Sequence, residues 1–298
     1  MFQNQLAITT SSLGLHPVHS LPEKIQAASS NGFSSIEIVY QELVDYGTSQ
    51  TPSLNITESA RAISQLCSSF DMSVLALNPF KNFEGHNSPL FERLESARHW
   101  IEIAACLQAS HLQVPSQFDT ANSSGNWSVM VNELQQLADL AASHSLGIAY
   151  EAVAWGSYID TWEDCLGVRH EADSNLRASL DRFVQTCPLD KICYIQFSDG
   201  ERFSPPLSAQ HRFYQAGFPP GLPWSRNMRP FRLETELGAY LPVVDIARTW
   251  LKQKGWKGVV SMEIFDWRMR DASRRPDENA KRGMRSWEKL VAALDEPL

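Results

Sequence analysis

Four oxygen-bearing side chains fall at or near the ends of four apolar runs. Glu151 ends GIAYE (147–151), Asp181 ends RASLD (177–181), Gln196 lies next to last in ICYIQF (192–197), and Glu263 sits within VVSMEIF (259–265). A carboxylate buried alone is very costly, whereas one beside a cation is not. Three carboxylates and an amide oxygen suit a hard divalent ion, Mg2+ or Mn2+ above all, with water or substrate in the remaining positions. Zinc is less favoured, because the set contains no Cys or His. Taken singly, each acid serves equally well as a helix cap or an arginine's partner, and Gln196 as a satisfied polar residue at a rim. Four donors on successive strand ends are a more specific signal than any one of them.

The elements that must position these groups read as strand and helix in alternation. Candidate strands are LAITTSS (6–12), SSIEIVY (34–40), SVLALN (73–78), HLQVP (111–115) and the four runs above, eight in all. Helical spacing of apolar residues marks 22–32, 58–70, 91–107, 131–147 and 243–258, with stops at Gly32, Gly147 and Gly255. The early strand ends near 39, 77, 114 and 151 recur about every 37 residues, the length of one strand, one helix and two loops. Eight such units fit a (β/α)8 TIM barrel, whose active site lies at the C-terminal edge of the strands. A doubly wound open sheet is the rival, but no G-x-G-x-x-G fingerprint or P-loop favours it. Two spacings break the rhythm. Asp181 to Gln196 is 15 residues, which predicts a shortened crossover between the sixth and seventh strands. Gln196 to Glu263 is 67 residues and contains a Pro-, Gly- and aromatic-rich stretch (203–231), read as a long functional loop over the strand ends.

Composition bounds the partners. The chain has 298 residues, 43% hydrophobic and 20% charged, enough for a sizeable core, and no linker or charge run divides residues 1–298 into two domains. A net charge of -8 disfavours nucleic acid. Cys67, Cys106, Cys165, Cys187 and Cys193 are odd in number and form no C-x-x-C pair, as expected of reduced thiols. The start, MFQNQLAITTSS, has no basic-then-apolar signal, and no apolar run reaches the roughly 18 residues of a membrane span. A cytoplasmic enzyme on a small-molecule substrate is expected, with no membrane partner and with a homo-oligomer allowed.

Six stretches together carry a family resemblance: TTSSLG (9–14), NPFKNFEG (78–85), YEAVAWG (150–156), LDRF (180–183), YIQFSDGER (194–202) and MEIFD (262–266). They resemble the xylose-isomerase-like TIM-barrel superfamily of sugar isomerases and epimerases, and within it the 3-dehydroshikimate dehydratases of fungal and bacterial quinate catabolism. The resemblance implies a metal set of Glu, Asp, Gln or His, and Glu, which falls on Glu151, Asp181, Gln196 and Glu263. It also shows a departure. The family's D-[ST]-F-[HN] stretch reads Asp181-Arg182-Phe183-Val184 here, so a polar residue is replaced by Val184, and the helix expected after it is largely missing. The implied reaction is loss of water from 3-dehydroshikimate, with a divalent ion on the ketone, a general base and acid, and a cation for the substrate carboxylate. Lys81, Arg202 and Arg229 are candidates for that cation; His16 and His86 are candidates for acid–base work. Phe80, Phe83, Trp155, Phe203 and Trp224 are candidates to wall the pocket. Each has a plain alternative: His16 capping a loop before Pro17, Lys81 and Arg202 paired with Glu84 and Glu201, His86 in a loop, and the aromatics in the core. The competing functions are a sugar or keto-sugar isomerase or epimerase using the same ion, and a catalytically impaired binding or regulatory homologue.

Overall fold

The computed structural model describes residues 3–167 and 175–296. In chain order the elements are β1 (Leu6–Thr9), α1 (Leu21–Ser30), β2 (Ser35–Val39), α2 (Tyr40–Ser49), α3 (Ile56–Ser69), β3 (Ser73–Asn78), α4 (Leu90–Cys106) and β4 (His111–Pro115). They continue as α5 (Trp127–Ala142), β5 (Gly147–Glu151), α6 (Trp162–Cys165), α7 (Leu176–Thr186), β6 (Ile195–Gln196), α8 (Gly221–Ser225) and β7 (Met228–Arg229). The last are α9 (Val243–Ala247), β8 (Val260–Met262), β9 (Phe265–Asp266) and α10 (Pro276–Asp295). The chain forms two compact units, one of Met1–Ser35 with His170–Leu298 and one of Ile36–Arg169.

In the second of these, four strands lie in the order β5-β4-β3-β2. The pairs β3–β4 and β4–β5 are parallel, with Leu77 opposite Leu112 and Gln113 opposite Ala149. Their apolar side chains pack against helices whose ends the sequence sets well. Asn55 and Glu58 form a reciprocal capping box at the start of α3. Asn126 caps α5 by accepting from Val129 N–H. Ile63, Leu77, Ile101, Leu112 and Leu137 are fully buried between sheet and helices.

In the first unit β8 is flanked by two parallel partners. Leu6, Ala7 and Ile8 of β1 lie opposite Val260, Ser261 and Met262, and Ile195 and Gln196 of β6 lie opposite Val260 and Ser261. Helix α10 opens on Pro276 and lies close over this sheet. Gly283 permits that approach, since a Cβ there would stand 2.9 Å from Phe231 and 3.1 Å from the Met262 sulfur. A small antiparallel ribbon, β7 with β9, pairs Met228 with Asp266 and Arg229 with Phe265.

Two expectations are corrected. RASLD is not a strand: it lies inside helix α7, where Asn175 accepts from the N–H groups of Arg177 and Ala178. Leu176, Leu180, Phe183 and Val184 recur at helical spacing, and that longer period outweighs five residues of alternation. The connection before β6 is therefore not a shortened crossover lacking its helix. The helix is present, and it is a strand that the described residues between Glu151 and Ile195 lack. The run VVSMEIF also divides, into β8 and β9, with Glu263 and Ile264 between them.

Candidate functional site

The β2–β5 unit carries a row of polar residues. Glu37 of β2 is fully buried and accepts a 3.1 Å hydrogen bond from Asn78 Nδ2 at the end of β3. Gln113 of β4 donates from Nε2 to Glu151 Oε2 at 2.5 Å, while its own Oε1 is buried with no hydrogen-bond partner. Residues opposite one another in a parallel pair face the same side, as do residues two apart on a strand. Asn78, Gln113 and Glu151 therefore share one face, a polar stripe across strands that are otherwise apolar. Glu37 and Gln113 were missed in the sequence, although the signal is the one that singled out Glu151: a polar residue inside the apolar runs SIEIV and HLQVP.

Beside this row the NPFKNFEG segment is anchored by buried acids. Glu133 receives a bidentate pair from Arg93 at 2.7 and 2.8 Å and the Gly85 N–H at 2.7 Å. Glu84, wholly buried, accepts from Gln117 N–H at 2.5 Å and from the Tyr150 hydroxyl at 2.9 Å, both on Oε1. Its Oε2 has no partner. Burial holds the Glu84 carboxyl above its ordinary value of 4.5, against those hydrogen bonds, and burial with the nearby Glu84 charge pushes the Tyr150 hydroxyl up. The folded state thus keeps the Glu84 proton to a higher pH than the unfolded chain does. Its contribution to stability is full below about pH 4.5 and falls as pH rises toward the folded value. Glu84→Gln keeps the accepting oxygen and removes that fall. Its urea midpoint minus that of the parent is expected to grow from pH 4.5 upward, and a difference flat across that window would refute the account.

The other unit carries a second polar centre. Arg229 donates to Ser198 Oγ at 2.9 Å, Ser225 Oγ at 3.3 Å and the Glu263 carbonyl at 2.8 Å, and pairs with Glu263 Oε2 at 2.9 Å. Gln196 ends β6 two residues before Ser198. In the same unit runs a chain of charge, half-buried at Arg268 and Glu201 and buried at Asp266, Arg282 and Glu234. Arg268 holds Glu201 through two bonds and Asp266 at 2.9 Å. Arg282 holds Glu234 through two 2.8 Å bonds and the other oxygen of Asp266 at 2.9 Å. Asp199, 1% exposed, gathers the long loop by accepting from the N–H groups of Gly200, Leu233, Tyr240 and Leu241.

The residues singled out in the sequence divide accordingly. Glu151, Gln196 and Glu263 lie at or just past the C-terminal ends of β5, β6 and β8. Asp181 does not join them. It lies on the exposed face of α7, paired with Arg177 one turn earlier at 3.3 Å, and its place among strand-end ligands is withdrawn. Exposed pairs of this kind contribute a few tenths of a kcal/mol, so Asp181→Ala is expected to change unfolding free energy by less than about 0.5 kcal/mol in urea titration. Among the described residues no three His, Cys, Asp or Glu side chains form a group able to hold a metal ion. Glu151 belongs to one unit and Gln196 and Glu263 to the other, and each is a hard oxygen donor. Arg229 takes one oxygen of Glu263 and leaves the carboxylate its second.

His16 accepts the Val18 N–H on Nδ1, and His86 accepts the Ser88 N–H on Nδ1. Each neutral ring therefore carries its proton on Nε2. Lys81 is exposed. Arg202 is exposed and stacks 4.1 Å over the Tyr240 ring. Phe80 and Phe83 are core residues grouped with Trp100, and Trp224 donates its indole N–H to the Glu201 carbonyl at 2.7 Å. Trp155 is half-buried in the loop after β5, and Phe203 stacks edge-on against His211.

The sequence pattern of the xylose isomerase-like TIM barrel family matches residues 25–290. The chain is 33% identical to the 3-dehydroshikimate dehydratase of Neurospora crassa over 343 residues, covering 99% of this chain and 96% of that one. That alignment is longer than the 298 residues here, so at least 45 positions of the relative (343 less 298) have no counterpart. Among solved structures, a xylose isomerase-like TIM barrel/4-hydroxyphenylpyruvate dioxygenase fusion protein superposes with a TM-score of 0.75 at 25% identity, over 97% of this chain and 42% of that one. The IOLI protein, solved with a bound zinc atom, superposes with a TM-score of 0.72 at 16% identity, over 97% of this chain and 98% of its own.

Proposed function

The chain belongs to the xylose isomerase-like TIM barrel family, and from that premise we propose that it is a carbon–oxygen lyase converting 3-dehydroshikimate to protocatechuate and water. One observation carries the reading: the similarity to the Neurospora dehydratase runs through nearly the whole length of both chains.

The reaction removes a proton beside a ketone, expels a ring hydroxyl as water and ends in an aromatic acid. A divalent ion, when bound, supplies polarisation of the ketone oxygen. The residues proposed to hold it are Glu151, Gln196 and Glu263, and hard oxygen donors favour Mg2+ or Mn2+. Of the three candidate cations, Arg229 is the one assigned to the substrate carboxylate. Its side chain is 14% exposed and is fixed by two serine hydroxyls, a carbonyl and Glu263, so little side-chain freedom is left to lose on binding. His16 and His86 are retained as acid–base groups acting through Nε2. The setting proposed is cytoplasmic breakdown of quinate and shikimate, with a small-molecule substrate and neither nucleic acid nor membrane as partner; among the described residues no helix is long and apolar enough to cross a membrane.

The test is direct. Purified protein reconstituted with Mn2+ or Mg2+ is expected to turn 3-dehydroshikimate into protocatechuate, followed by the ultraviolet absorbance of the new aromatic ring. No absorbance change at any ion concentration, beside turnover of a ketose, would replace this reading with an isomerase.

A further inference from the structure

The long loop and the β7–β9 ribbon border a half-open cavity of about 370 Å³. Its walls are aromatic: Phe203, Phe213 and Trp267, with Met228 also lining it. It is separate from the Arg229–Glu263 pair. Successive strand residues face opposite sides, so Met228 turns into the cavity while Arg229 turns away, and neither Arg229, Glu263, Ser198 nor Gln196 lines it.

Five polar or charged residues share the lining with those rings: Glu201, Ser204, Gln210, His211 and Arg212. Glu201 is held by two bonds to Arg268, a guanidinium it shares with Asp266. His211 accepts the Phe213 N–H on Nδ1, which leaves Nε2–H as a donor. Arg212 lies 4.0 Å over the Trp267 ring and 4.5 Å over Phe213, and among the described residues it has no carboxylate partner. The lining is thus mixed, with flat aromatic walls, polar side chains between them and the exposed Arg212 guanidinium laid against two of the rings. A guanidinium so fixed matches a carboxylate through two parallel hydrogen bonds, and the rings match a flat π-system by offset or edge contact. The volume falls within the roughly 300–1,000 Å³ of small-molecule sites.

We propose that this cavity is a second binding site, for a planar aromatic monocarboxylate. The chemistry of the walls supports this whether or not the chain is a dehydratase; the dehydratase reading adds that the released product is a member of the class.

Isothermal titration with 3,4-dihydroxybenzoate tests it without any turnover. Arg229→Met removes the cation assigned to the substrate carboxylate, so heat remaining in that variant reports the cavity. One site is expected to persist there, and adding Arg212→Met is expected to weaken it about tenfold or more. Cyclohexanecarboxylate, which carries the charge but is not flat, is expected to bind at least tenfold more weakly than benzoate. In the otherwise unaltered chain, Phe213→Ala, a change in a partly exposed loop, is expected to remove one of two sites. Loss of all binding in Arg229→Met while the variant stays folded by circular dichroism, equal binding with and without Arg212, equal binding of the two acids, or two sites surviving Phe213→Ala would each overturn the proposal. A chain that binds the aromatic acid but fails to dehydrate 3-dehydroshikimate would keep this proposal and lose the functional one.

Discussion

Glu151→Gln is expected to lower kcat/KM for 3-dehydroshikimate by about 10³-fold, the equivalent of roughly 4 kcal/mol of transition-state stabilisation. The substitution preserves size and removes one negative charge. Its remaining carbonyl oxygen can still accept the bond from Gln113 Nε2, so the contact survives while the charge does not. The lost charge is the quantity that matters for holding a divalent ion, so metal content after dialysis, read by mass spectrometry, is expected to fall along with turnover. Asp181→Asn is the matched control, because that side chain lies on an exposed helix face with Arg177. It should leave both readings within about twofold, since an exposed pair on a helix carries a few tenths of a kcal/mol. A Glu151→Gln protein with more than a tenth of the parent's turnover, or an Asp181→Asn protein as impaired as Glu151→Gln, would sink the assignment.

Arg282→Met should destabilise the fold by about 3–5 kcal/mol, the cost of removing one partner from a buried ion network. Arg282 and Glu234 are both 8% exposed in their side chains, and Asp266 is wholly buried. Without the guanidinium, Glu234 loses both of its 2.8 Å bonds and keeps only the Phe231 N–H, and Asp266 retains Arg268 alone. The methionine fills much of the volume, so the loss is one of charge compensation rather than of packing. Urea titration at neutral pH should show a lower midpoint with an unchanged slope, and the melting temperature should drop on the order of 10 °C. A shift worth less than about 1 kcal/mol would mean that water reaches the two acids and that the network is a surface feature.

Much of this molecule was open to reading in order of residues. Strands β3, β4 and β5 and helices α1, α3, α4 and α5 follow from apolar periodicity with caps such as Asn55 and Asn126, because those signals are local and agree with one another. Glu151 stood out for the same reason: an ionisable group inside an apolar run is an anomaly visible in five residues. Family membership was also within reach, through YEAVAWG, YIQFSDGER and MEIFD. RASLD shows where local reading fails. Five residues support either period, and the helix was decided by the turns on both sides of them.

What the sequence determined by itself, then, is the elements with strong local periodicity and the family, since periodicity, capping and short motifs are properties of neighbouring residues. Which groups meet was decided by the folded chain alone. Arg229 and Glu263 are 34 positions apart, Glu37 and Asn78 are 41, and Arg282 and Glu234 are 48. No spacing rule reaches so far, because such partners are chosen by strand register and helix docking, and a buried charge accepts whichever opposite charge the packing brings within about 3 Å.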